Sequence, residues 1–226
     1  MSGTCYRCFK AREACLCPYI RELDTGVRFV ILIHPHEARL MRTGTGRIAH
    51  LSLRESELIQ GVDFTENERL AQLLSDESYY PVLLYPGESA RTTSDPAFRE
   101  SLGSRRLLVI ILDGTWAEAK KMLKYSTNLQ ALPRLSFNRG YRTHFVFKRE
   151  PSPDAISTIE SCYYLIKELG EIGVADTNGA ENLMSVFERM VKFQLDCEYE
   201  RRRLDAPERV ALSKLKINGF STLNKT

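Results

Sequence analysis

No apolar run in this sequence approaches the ~20 residues needed to span a bilayer. The first stretch, MSGTCYRCFKAREACLC, lacks the apolar core of a secretion signal. Both absences lead to the expectation of a cytoplasmic protein. The charge surplus is small too. With 32 Lys and Arg against 29 Asp and Glu, the net charge is only +3, so overall basicity does not announce a nucleic-acid partner and local clusters must carry any such claim. There is no G-K-[ST] loop of the Walker type and no internal repeat. What remains is 226 residues, 43% hydrophobic and 27% charged. That is an ordinary globular mixture, enough for one fair-sized domain or one domain with a small appendage.

The most informative stretch is LLVIILDGTWAEAKK, Leu107 to Lys121. Its six leading apolar residues, Leu107 to Leu112, read as a strand buried on both faces. Asp113-Gly114 is a turn dipeptide, and Thr115-Trp116-Ala117-Glu118 fits a capping box that opens a helix. Asp113 is thereby expected at the carboxyl end of a buried strand, where open α/β sheets bind ligands. Its carboxylate either does chemistry there or bonds the N–H groups of the turn. Two further strands are expected near 27–33 and 82–85, ending in His34-Pro35-His36-Glu37 and Tyr85-Pro86-Gly87-Glu88. Helical stretches separate the three, so the fold class is α/β, a parallel sheet with helices on both faces.

Cys5, Cys8, Cys15 and Cys17 form C-x2-C-x6-C-x-C. In a cytosolic protein this suits one tetrahedral Zn²⁺ rather than disulfides, in a structural role because four thiolates leave no open position. Arg7, Lys10 and Arg12 beside it offer a possible RNA contact, while Cys162 and Cys197 read as core. His34 and His36 do not suggest a metal, because Pro35 is expected to prevent a helix or a regular strand there and no third His is near. Arg39, Arg42 and Arg47, with Gly44 and Gly46, form either a phosphate contact or a solvated loop.

Further on, 66–74 reads as a short amphipathic helix, and 129–137 and 141–148 as two short strands. Arg134, Arg139, Arg142, His144, Lys148 and Arg149 alternate there with Phe137, Tyr141, Phe145 and Phe147, a mixture that can hold phosphates and stack on bases. The competing account is a half-buried strand with its aromatics pointing inward. Ser157-x-x-Glu160 is a second capping pattern, opening a helix from about 155 to 170. A long helix spans about 180–204, and a polar basic tail follows.

Taken in order, C-x2-C-x6-C-x-C, the HPHE turn, Arg42-Thr43-Gly44, the LLYPGE turn, DGTWAEAKK and Ile156-Ser157-Thr158-Ile159-Glu160 resemble the marks of the DTW-domain family, the tRNA-uridine aminocarboxypropyltransferases. The resemblance covers nearly the whole chain and is of bacterial type. It implies a SPOUT-like α/β sheet with a knotted C-terminal half. It also implies S-adenosylmethionine as cofactor, tRNA as partner, and transfer of the 3-amino-3-carboxypropyl group to N3 of a uridine at position 47 of the variable loop, with methylthioadenosine released. On that basis residues 1–25 are a zinc-binding module, 26–206 the catalytic domain and 207–226 a tail. Asp113 and Trp116 are the expected catalytic residues, although Trp116 serves equally as an anchor for its helix. Leu84, Tyr85, Pro86, Gly87, Leu112, Gly114, Thr115, Ser157 and Thr158 are expected at the cofactor, with the two hydroxyls holding its carboxylate. His34, Arg39, Arg42, Arg47, Arg139 and Arg142 are expected at the RNA. Two rivals stay open: a methyltransferase on the same scaffold, and a non-catalytic zinc-containing RNA-binding protein. The oligomeric state is left open.

Overall fold

The computed structural model describes residues 3–40, 43–144 and 156–203. Arg42, Phe145, Phe147, Lys148, Arg149 and the tail 207–226 lie outside the described residues. Six strands, β1 (Arg28–Ile33), β2 (Ser56–Gln60), β3 (Tyr79–Leu84), β4 (Arg91–Thr92), β5 (Arg106–Asp113) and β6 (Arg134–Ser136), form one sheet. The order is β2-β1-β5-β3-β6-β4, and every pairing is parallel. The expected parallel sheet is therefore present, with β5 at its centre.

Buried strands need apolar residues on both faces, and β5 supplies them alternately. Leu107, Val109 and Ile111 join Phe29, Ile31 and Val82 in one core. Leu108 and Ile110 join Val30, Leu32 and Leu83 in the other. The first face is covered by α2 (Gly46–Ser52), α4 (Pro96–Leu102), α7 (Thr158–Glu171) and α8 (Glu181–Arg203). The second is covered by α3 (Glu68–Ser75), α5 (Trp116–Tyr125) and α6 (Thr127–Gln130). Each fully buried β5 side chain contributes roughly 1.5–3 kcal/mol, so the central strand is anchored firmly and its end is a rigid platform. Cys162 and Cys197 are buried, as expected of core thiols.

Three local expectations are corrected. Pro35 does not prevent a helix: it is the first residue of α1 (Pro35–Leu40), the one helical position where its missing N–H costs nothing. Leu129–Phe137 is not one strand, because Leu129 and Gln130 belong to α6 and only Arg134–Ser136 pair, beside β3 and β4. Residues 141–144 form no strand either; the buried glutamates of α7 take their hydrogen bonds instead, as described below.

The cysteine-containing segment is built from two 3-10 turns, Arg12–Ala14 and Cys17–Tyr19. Leu16 and Leu23 insert into the first core, and Arg47 of α2 lays its guanidinium 4.2 Å over the Phe9 ring. Among the described residues no helix is long and apolar enough to cross a membrane.

Candidate functional site

β1 and β5 end in register, Ile33 opposite Asp113, and the His34 N–H donates to the Asp113 carbonyl at 2.8 Å. β3 lies on the other side of β5, so its exit at Leu84–Tyr85 faces the exit of β5. Tyr85 meets Trp116 edge to face, with ring centroids 6.1 Å apart. The HPHE, YPGE and DGTW turns thus leave three adjacent strands at one edge of the sheet. Topology, rather than chain proximity, brings them together.

Asp113 is only 4% exposed. The Thr158 hydroxyl, at the first turn of α7, donates to its Oδ1. At the start of α2, Gly46 packs so closely that a Cβ there would lie 2.2 Å from Oδ2. One carboxylate thus bonds the first turn of α7 and packs against the first turn of α2, two helices from distant parts of the chain. Burial pushes the neighbouring Cys162 thiol up, and the negative charge of Asp113 adds to the effect.

Beside it stands a second polar group. Thr115 caps α5, and its N–H and hydroxyl both donate to Glu118 Oε2, at 2.7 and 2.8 Å. The other oxygen, Oε1, lies 3.3 Å from His34 Nδ1 and 3.0 Å from His36 Nδ1. Because α1 begins at Pro35, both rings can turn toward the same carboxylate. Partial burial works to raise the Glu118 pKa, but the Thr115 bonds and the two imidazoles outweigh it and hold the carboxyl below its ordinary value. His34 Nδ1 also faces the His36 N–H at 3.2 Å. Gly114 leaves room for this arrangement: a Cβ there would lie 3.1 Å from Glu118 Cβ and 3.3 Å from His34 Cβ. Reading Glu118 as a cap alone misses this pairing, which depends on β1 lying next to β5.

Leu84, Tyr85 and Leu112 are half-buried, Pro86, Gly87 and Thr115 exposed, and Trp116 half-buried against Tyr85. Both hydroxyls expected to hold a ligand carboxylate are engaged within the protein. Thr158 is on Asp113, and Ser157 donates to Glu160 Oε2 at 2.6 Å. Trp116 is not among the buried core residues.

Of the basic residues, Arg39 and Arg142 are exposed, Arg47 lies on Phe9, and Arg139 pairs with Glu171 at 3.2 Å. The segment carrying Arg139 and Arg142 is pinned by two buried glutamates of α7. Glu168 accepts from the Asn138 N–H at 3.0 Å and from the Tyr141 and Thr93 hydroxyls at 3.0 and 3.1 Å. Glu160 accepts from the Thr143 hydroxyl at 2.9 Å and the His144 N–H at 2.6 Å. Tyr141 stacks on Tyr164 with ring centroids 3.9 Å apart. These basic residues therefore project from a braced ledge.

The four N-terminal cysteines converge. Their Sγ atoms all lie within 4.8 Å of one another, with Cys5–Cys17 at 3.7 Å and Cys8–Cys15 at 3.8 Å. A tetrahedron with Zn–S bonds of ≈ 2.3 Å has sulfurs about 3.8 Å apart, so the spacing suits a bound metal ion. Backbone N–H groups of Cys8 and Arg7 lower the Cys5 thiol to about 6, whereas burial pushes the Cys15 and Cys17 thiols up, so the spacing of the sulfurs rather than their acidity carries the metal reading.

A family model described as "DTW domain" matches residues 2–195. The chain is 26% identical over 202 residues to a mouse protein named tRNA-uridine aminocarboxypropyltransferase 2, covering 84% of this chain and 63% of that one. A macaque protein of the same name is 22% identical over 199 residues, again covering 84% and 63%. A Drosophila melanogaster protein, also so named, is 24% identical over 199 residues, covering 85% and 75%. The chain thus spans about 63% of the length of the mouse and macaque proteins. No solved structure matches it.

Proposed function

The chain belongs to the DTW-domain family, and from that membership we propose that it transfers the 3-amino-3-carboxypropyl group of S-adenosylmethionine to N3 of a tRNA uridine, at position 47 of the variable loop, releasing methylthioadenosine. The observation that carries the reading is the family match over residues 2–195. The relatives' shared name and the meeting of three strand-end turns at Asp113 support it.

S-adenosylmethionine supplies a carbon activated by its bond to a sulfonium. The N3–C bond forms as the C–S bond breaks, the electron pair leaves on sulfur, and the N3 proton passes to a base. Which sulfonium carbon lies in line with N3 decides between this transfer and methylation. In this reading the turns Leu84–Gly87 and Leu112–Thr115, with Ser157 and Thr158, hold the cofactor, and Trp116 packs over the bound ligands. Asp113, fixed from both sides, orients the uridine edge. The N3 proton goes to His34, whose Nδ1 faces Glu118 Oε1 at 3.3 Å. Arg39, Arg42, Arg47, Arg139 and Arg142 face the RNA. The four cysteines hold one structural Zn²⁺. The division at 25/26 and 206/207 and the SPOUT-type knotted half belong to the same proposal, which the parallel sheet supports at the level of fold class.

Two labelled cofactors test it. S-adenosylmethionine carrying the label in its aminocarboxypropyl carbons should label unmodified tRNA, and cofactor labelled in the methyl group should not. Label from the methyl group would mean a methyltransferase. No label from either, with no rise in Tm on adding S-adenosylmethionine, would leave a non-catalytic RNA-binding protein.

A further inference from the structure

Beside the Leu84–Gly87 turn there is a cleft of about 480 Å³ lined by Tyr85, Lys120, Leu123, Lys124, Gln130 and Arg134. We propose that this cleft seats the single-stranded RNA backbone next to the target uridine, with Lys120, Lys124 and Arg134 on its phosphates and the Tyr85 ring available to a base. The proposal rests on the tRNA-modifying reading above and assigns a binding surface to it.

Three elements build the cleft. Lys120 and Lys124 are exposed and stand one turn apart on α5, Arg134 opens β6, and Tyr85 follows β3. The Arg134 guanidinium lies 5.6 Å from the centroid of the Tyr85 ring, and that ring meets Trp116. The cleft is thus continuous with the site. Gly87 lies against the tip of Arg134, where a Cβ would be 2.8 Å from Nη1.

Charge identifies the occupant. Among the described residues three cations line the cleft and no carboxylate does. Among the described residues none of the three has an ion-pair partner. Like charges one helical turn apart weaken a helix, and only Lys124, in the last turn of α5, is offset by the helix dipole. The cofactor is a poor fit, because its sulfonium and ammonium outweigh its carboxylate and it carries no phosphate. A polyanion with exposed bases fits both features. Cations track its phosphates, and an aromatic face accepts a base whatever its identity. The variable loop is partly single-stranded in character, and such segments are read by stacking and phosphate contacts.

The test is binding of an unmodified tRNA transcript to the full chain over a range of salt, for wild type and for the triple variant Lys120→Gln/Lys124→Gln/Arg134→Gln. Each phosphate contact contributes about 0.7 to the slope of log K against log salt for a single strand. Loss of three should make the slope shallower by about 2, which at 0.15 M salt corresponds to about 50-fold in Kd. Lys121→Gln, whose side chain lies over Tyr125 outside the cleft, should change neither. The triple variant should keep the Tm rise that wild type shows with S-adenosylmethionine. An unchanged slope and Kd in the triple variant overturns the proposal. So does loss of the cofactor-induced Tm rise with tRNA binding intact, which would make the cleft a cofactor subsite. The two readings fail separately. If wild type transfers nothing yet the triple variant loses the slope, the cleft stands and the transferase reading falls. If wild type transfers and the slope is unchanged, the cleft alone falls.

Discussion

Gly46→Ala adds one methyl group at the start of α2, where the added Cβ would lie 2.2 Å from Asp113 Oδ2 and 2.5 Å from its Cγ. Ordinary contact begins near ~3.4 Å, so about 1.2 Å must be found. Asp113 has little room to give it, being 4% exposed and held by Thr158, with the buried Cys162 nearby. Either the carboxylate turns away or α2 lifts with Ile48 and Ala49, which belong to the core. Overpacking of this kind costs roughly 1–3 kcal/mol, or about 2 to 12 °C in Tm for a chain of this size. The protein should therefore still fold. A misplacement of about 1 Å at a reacting centre costs on the order of 100-fold in rate. Steady-state transfer to unmodified tRNA should show that loss in kcat, with circular dichroism at 25 °C unchanged and the Tm rise with S-adenosylmethionine retained. A kcat within twofold of wild type, with the expected drop in Tm, would show that the position of Asp113 does not govern the reaction.

Two further outcomes can be measured without turnover. Glu118→Gln keeps a side-chain oxygen for the capping box of α5 but removes the carboxylate charge that faces His34 and His36. The folded-state pKa of Glu118 is lowered. Its stabilisation is therefore present above the ordinary carboxylate range and is lost as pH falls through the folded value. Urea midpoints measured against pH should show wild type losing more stability than the variant as pH falls below about 5, with no difference in slope above it; parallel curves throughout would refute this. Wild type purified without chelator should carry one zinc per chain by elemental analysis. Cys8→Ser should carry none, with a lower Tm because Leu16, next to the cluster, packs in the main core. Equal metal content in the two would remove Cys8 from the site.

How much of this was legible depended on how local each cause is. The run Leu107 to Leu112 reveals a strand buried on both faces because both cores press on it. The Thr115–Glu118 and Ser157–Glu160 boxes lie three residues apart, so sequence alone places two helix starts. β2, with the sequence SELIQ at the sheet edge, escapes notice because four of its residues are half-buried and one exposed, and none needs a continuous apolar run. Pro35 reads as a breaker until the chain direction shows that it opens a helix. At the site, Asp113 could be singled out, but its partners could not. Gly46 and Thr158 lie far from it in the chain, and Glu118 meets two histidines only because β1 pairs with β5. Lys120, Lys124 and Arg134 likewise form one surface only after β6 takes its place beside β3.

The most direct measurement is mass spectrometry of nucleosides from unmodified tRNA incubated with S-adenosylmethionine and either wild type or Asp113→Asn. The account predicts an aminocarboxypropyl-uridine with an equal amount of methylthioadenosine from wild type, and neither from the variant although it still binds the cofactor. A methylated uridine from wild type, or full product from Asp113→Asn, would contradict it.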